Sequence, residues 1–160
     1  MNKNYSIEEI LEIAVKIEEN GVLFYRTLAE QTRDKRIEEL FRFLEGEERE
    51  HISVFKNIYE NLTKKTFEKA FSEEEANMYL HALIENRIFK KPEEIISTVS
   101  RNDGLSAVDI AIQVEKDTIL YYYEILENLT GKEKDLVKEL INQEKTHVYR
   151  LTTLKNTLRG

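Results

Sequence analysis

Glu48-Arg49-Glu50-His51 decides the reading of this chain, because its chemistry returns at Glu144-Lys145-Thr146-His147. A Glu three residues before a His puts both side chains on one face of a helix, where positions three and four apart are neighbours. Around the first pair, Ile37, Phe41, Leu44, Phe55, Ile58 and Leu62 recur at alternating steps of four and three, and Glu48 and His51 fall on that stripe. Around the second, Val137, Leu140, Leu151, Leu154 and Leu158 do the same, with Glu144 and His147 in the gap. Such a stripe is the face a helix buries. An unpaired carboxylate there costs several kcal/mol or takes up a proton, and a bound cation removes the problem.

Two further stripes carry the same defect. Leu11, Ala14, Gly21, Tyr25 and Leu28 share a face with Glu18; Val108, Ala111, Thr118, Tyr122 and Ile125 share one with Glu115. The spacings indicate an internal repeat: Glu18 to Glu115 is 97 positions, and Glu48 to Glu144 and His51 to His147 are each 96. A Tyr follows each first-helix Glu by seven residues, Tyr25 after Glu18 and Tyr122 after Glu115. Each Tyr is equally readable as a core aromatic or as a hydroxyl that supports a ligating carboxylate. A single Glu-x-x-His says little in a Glu-rich chain. Two of the three His carry it, on core stripes and at the repeat spacing, while His81 has Met78 in that place and reads as a surface or packing residue.

The repeat predicts two helical hairpins, about 6–63 and 105–157, separated by a crossover of about 64–104, in a single domain of 160 residues. Ser6-Ile7-Glu8-Glu9 has the form of a capping box that opens the first helix, and Ser106 to Asp109 is the expected cap of the third. Thr130-Gly131 is expected to end that third helix. Within the crossover, Ser72-Glu73-Glu74-Glu75 and Lys91-Pro92-Glu93-Glu94 predict two short helices. Gly21 is unusual in a helix interior and is equally readable as room beside Glu18 for a neighbouring helix or a ligand and as simple tolerance. The expected fold is all-α: an antiparallel four-helix bundle with one long helical crossover between helices 2 and 3.

Composition narrows the function. The chain has no Cys, which excludes disulfides, thiolate metal sites and a thiol nucleophile. A net charge of -7 with interspersed Lys and Arg argues against nucleic acid as the main partner. No run approaches the ~18 apolar residues of a membrane span. No signal-peptide core opens the chain, so a cytoplasmic location is the expectation. Four carboxylates and two imidazoles without sulfur suit iron or manganese, and six ligands are the right number for two ions.

These residues resemble the ferritin-like di-iron carboxylate superfamily, most closely its rubrerythrin branch without the rubredoxin module. The resemblance rests on Glu18 through Phe24-Tyr25, Glu48-x-x-His51, Glu115 through Tyr121-Tyr122, and Glu144-x-x-His147. It implies two iron ions, with manganese as an alternative, bridged by Glu48 and Glu144 and held at the outside by Glu18, His51, Glu115 and His147. It also implies reduction of hydrogen peroxide or dioxygen. The chain departs from the family in two ways. Lacking the four Cys of a rubredoxin module, it needs a separate electron-donor protein. Three positions after Glu115, where rubrerythrins tend to carry a second carboxylate, stands Thr118, which leaves a six-residue site nearer the ferritin and bacterioferritin pattern. The alternatives are a ferroxidase that stores iron in a multi-subunit shell, and a metal-free helical interaction protein. A homodimer is the expected assembly.

Overall fold

The computed structural model describes residues 6–67, 97 and 103–160. Among them are four helices: α1 (Ile7–Gln31), α2 (Lys35–Thr63), α3 (Gly104–Glu127) and α4 (Gly131–Arg159). The short helices expected near Tyr79 and after Pro92, together with His81, lie outside the described residues.

The caps explain where the helices begin. Ser6 and Glu9 form the reciprocal capping box, with Glu9 N–H donating to Ser6 Oγ and Ser6 N–H to Glu9 Oε2. Asp34 caps α2 by accepting from Arg36 N–H at 2.9 Å. The third helix starts earlier than expected: Asp103, not Ser106, is the cap, and its carboxylate accepts from Ser106 N–H at 3.0 Å. An Asp side chain reaches an N-terminal amide as well as a Ser does, and here it draws Gly104 and Leu105 into the first turn. A second correction falls at Thr130-Gly131, which opens α4 instead of ending α3; Gly131 has φ 61°, a backbone that side chains strain.

Two apolar clusters fill the bundle, one on each side of a polar layer. The first holds Leu11 and Ala14 of α1, Phe55 and Ile58 of α2, Tyr122 and Ile125 of α3, and Val137 and Leu140 of α4. The second holds Phe24 and Leu28 of α1, Ile37 and Phe41 of α2, Val108 and Ala111 of α3, and Leu151 of α4. So α1 and α4 begin at the first cluster, while α2 and α3 begin at the second. Neighbouring helices (α1 with α2 and α3, α4 with α2 and α3) therefore run antiparallel. The end of α2 and the start of α3 stand at opposite ends of the bundle, with Gly104 packed against Ile37. Leu62 departs from its expected core place and is 41% exposed.

Candidate metal centre

The polar layer between the clusters consists of Glu18 on α1, Glu48 and His51 on α2, Glu115 on α3, and Glu144 and His147 on α4, none more than 4% exposed. All six sequence-predicted residues meet there. Each helix contributes where its stripe substitutes a polar residue for an apolar one, so the layer is the sum of four local defects brought to one level.

The six divide into two overlapping groups. Glu18, Glu48, His51 and Glu144 form one; Glu48, Glu115, Glu144 and His147 form the other; in each, the candidate ligand atoms lie within 4.8 Å of one another. Glu48 and Glu144 belong to both. His51 Nδ1 lies 2.8 Å from Glu144 Oε1, 3.2 Å from Glu48 Oε2 and 3.4 Å from Glu18 Oε2. His147 Nδ1 lies 2.8 Å from Glu144 Oε2, 3.5 Å from Glu115 Oε1 and 3.9 Å from Glu48 Oε1. The two imidazoles face each other nearly parallel, with ring centroids 5.7 Å apart.

These contacts bring charges together without directed hydrogen bonds. Glu18 Oε1, both Glu144 oxygens and both Nδ1 atoms are buried and lack a hydrogen-bond partner. Native interiors rarely leave so many polar atoms unsatisfied in one place. A cation bound by oxygen and imidazole nitrogen satisfies all of them, so the donor set fits a metal pair. Without one, protons must compensate. Burial, then the neighbouring Glu48, holds the Glu18 carboxyl well above its ordinary range. Burial and Glu144 raise Glu115 to about 7. Burial opposes charge on His147, but the Glu115 and Glu144 carboxylates outweigh it and raise the imidazole to about 10. His51 is pushed up in the same way, against burial, by Glu144, Glu18 and Glu48.

The supports around these six residues are uneven. The Tyr25 hydroxyl donates to Glu115 Oε1 across the bundle, and burial followed by Glu115 raises its own pKa well above normal. The Tyr122 hydroxyl is fully buried and has no hydrogen-bond partner; its ring packs edge-on against Phe55 at 5.1 Å. Gly21 accommodates Glu48: a Cβ at that position would stand 3.2 Å from Glu48 Cγ. The absent side chain makes room for a shared carboxylate. Thr118 is buried and its hydroxyl donates to Val114 O of its own helix at 3.0 Å.

Two contributors escaped the sequence reading. Gln143 Oε1 lies 3.0 Å from His51 Nε2, and Glu47 Oε2 lies 3.8 Å from His147 Nε2. Both immediately precede a Glu-x-x-His motif, which is the signal that would have found them.

The rubrerythrin family model matches residues 9–155. Among solved structures, one from Thermotoga maritima, described as a ferritin-like diiron-carboxylate protein, is similar with a TM-score of 0.73 and 29% identity over 98% of both chains. A hypothetical protein from Pyrococcus furiosus is similar with a TM-score of 0.75, covering 97% of this chain and 91% of that one; at 23% identity this likeness speaks to the fold alone. No curated protein matches the chain.

Proposed function

We propose, because this chain belongs to the rubrerythrin family, that it is a non-haem di-iron oxidoreductase that reduces hydrogen peroxide or dioxygen. One observation carries the reading: two four-residue groups share Glu48 and Glu144 while each keeps its own Glu and His. Such a set would hold two ions, Glu18 and His51 serving one, Glu115 and His147 the other, and Glu48 and Glu144 available to both.

Two electrons and two protons turn hydrogen peroxide into two waters; a metal pair held by these residues would supply the electrons, to be replaced by a separate donor protein. The chain's own residues prepare that chemistry. The apolar clusters above and below the layer exclude water and raise the worth of each charge inside it. The Tyr25 hydroxyl fixes the orientation of Glu115. Iron is the favoured ion, with manganese accepted by the same donors. Among the described residues no helix is long and apolar enough to cross a membrane. The reading places the protein in the cytoplasm as a homodimer.

The test loads the protein with iron, reduces it without oxygen, and mixes it with hydrogen peroxide in a stopped-flow spectrometer. The wild type is expected to become ferric at least about tenfold faster than Glu144→Ala, since even an indirect support of a metal ligand is worth roughly 10–100-fold. Equal rates would refute the reading. Storage of iron by a ferroxidase is the second reading. It is favoured by Thr118, whose hydroxyl is committed to Val114 O, so that the plain six-residue set remains. A shell-sized particle in solution would decide for storage, and a dimer against it.

A further inference from the structure

The residue before each Glu-x-x-His motif crosses the bundle to the imidazole of the other motif. From α4, Gln143 places Oε1 3.0 Å from His51 Nε2. From α2, Glu47 places Oε2 3.8 Å from His147 Nε2. The positions correspond and the chemistry differs: one is a neutral amide, the other a carboxylate.

Each Nδ1 faces the central carboxylates, so an imidazole that ligates through Nδ1 would turn its remaining proton, on Nε2, outward. The outer acceptor therefore sets how strongly Nδ1 donates. An anion facing Nε2 stabilises the proton there and makes the imidazole a better ligand through Nδ1 than a neutral amide oxygen does. Glu47 Oε2, the only carboxylate within ion-pair reach of the buried His147 Nε2 among the described residues, stands beyond hydrogen-bond distance and acts on the imidazole through its charge, whereas Gln143 Oε1 lies at hydrogen-bond distance from His51 Nε2. The other supports lean the same way. Glu115, in the His147 group, is oriented by Tyr25, whereas Glu18 Oε1, in the His51 group, has no partner.

We infer that the two metal positions are unequal, with the one held by Glu115 and His147 taking its ion first and more tightly, and with Glu47 as the positioning residue responsible. The inference rests on the two-metal reading above and goes beyond it by ranking the two positions.

Calorimetric titration of cobalt(II) into the metal-free protein tests it, with the exchangeable imidazole N–H resonances of the cobalt-loaded protein as a second readout. The wild type should show two steps whose Kd values differ about tenfold. In Glu47→Gln the tighter step should weaken by about that factor, and the resonance of one imidazole alone should shift. In Gln143→Glu the weaker step should strengthen, so that both variants bring the steps together from opposite sides. A general charge effect would move both steps alike, and a folding defect would lower both; either result overturns the inference, as does an unchanged separation in all three proteins. Cobalt uptake by none of them would overturn the two-metal reading itself, and the ranking with it.

Discussion

In the α1–α2 hairpin a single carboxylate, Glu45, is gripped by Arg26, Arg42 and Arg49 at 2.8–3.1 Å. Burial works against the Glu45 charge, and Arg49, Arg26 and Arg42 outweigh it, holding the carboxyl below its ordinary range. The α3–α4 hairpin has no counterpart among the described residues; its helices are joined at the surface by the Lys155–Asp109 pair and by Lys145 donating to Tyr123 at 2.8 Å. The starts differ as well. Both helices of the first hairpin have side-chain caps, whereas Thr130 at the start of α4 makes none. Yet the two hairpins deliver the same three groups, Glu18, Glu48 and His51 against Glu115, Glu144 and His147, to the same layer. The difference teaches that the candidate ligand set is repeated while its supports are not. Ligand positions follow from the helical stripe, and supports follow from whichever neighbours the assembled bundle supplies.

Titration probes what the hairpins share. The pKa values of Glu115, raised to about 7, and His147, raised to about 10, lie above their ordinary values of 4.5 and 6.5. A raised pKa means the folded state holds the proton more tightly, so the associated stability is present below the ordinary value and lost as pH rises through the raised one. His51 and Glu18 are raised too, so both hairpins push the same way. The metal-free protein should lose several degrees of Tm between pH 6 and pH 10. The metal-loaded protein should gain affinity over the lower part of that range, because each bound ion displaces protons from its ligands. Thermal melts with and without metal check both directions, and parallel curves would sink the account of the layer as protons standing in for metal.

The tyrosines separate the hairpins. Tyr25→Phe removes the donor from buried Glu115 and should cost about 1–3 kcal/mol. Tyr122→Phe removes a buried hydroxyl with no partner and should be neutral or stabilising, within about 1 kcal/mol. Urea denaturation of the metal-free variants measures both. Equal losses would mean that the two Tyr do the same work, and the asymmetry would fall.

The smallest effects sharpen the comparison at two glycines. Gly46→Ala meets nothing within 4 Å and should stabilise α2 by up to about 1 kcal/mol through helix propensity alone. Gly21→Ala gains the same propensity but sets a methyl 3.2 Å from Glu48 Cγ, so it should weaken metal uptake a few-fold while leaving the melt of the metal-free protein nearly unchanged. Uptake equal to wild type would mean that Glu48 has slack on that side.

The sequence alone determined the four stripes, the polar residue interrupting each, and the two Glu-x-x-His pairs at one offset. From these follow the four helices and the convergence of Glu18, Glu48, His51, Glu115, Glu144 and His147. That much was legible because helical periodicity is local: the 3.6-residue turn assigns each side chain a face before any tertiary contact exists. The resemblance already implied that Glu48 and Glu144 are shared, and both belong to each group; only the tertiary structure decided that Gln143 meets His51 while Glu47 faces His147, and that Tyr25 finds Glu115 while Tyr122 finds no acceptor. It also decided that Gly21 yields its space to Glu48, and that Leu62 leaves the core. Each of these depends on the stagger and rotation of one helix against another. Those are set by the packing of both faces together, and no single stretch of chain encodes them.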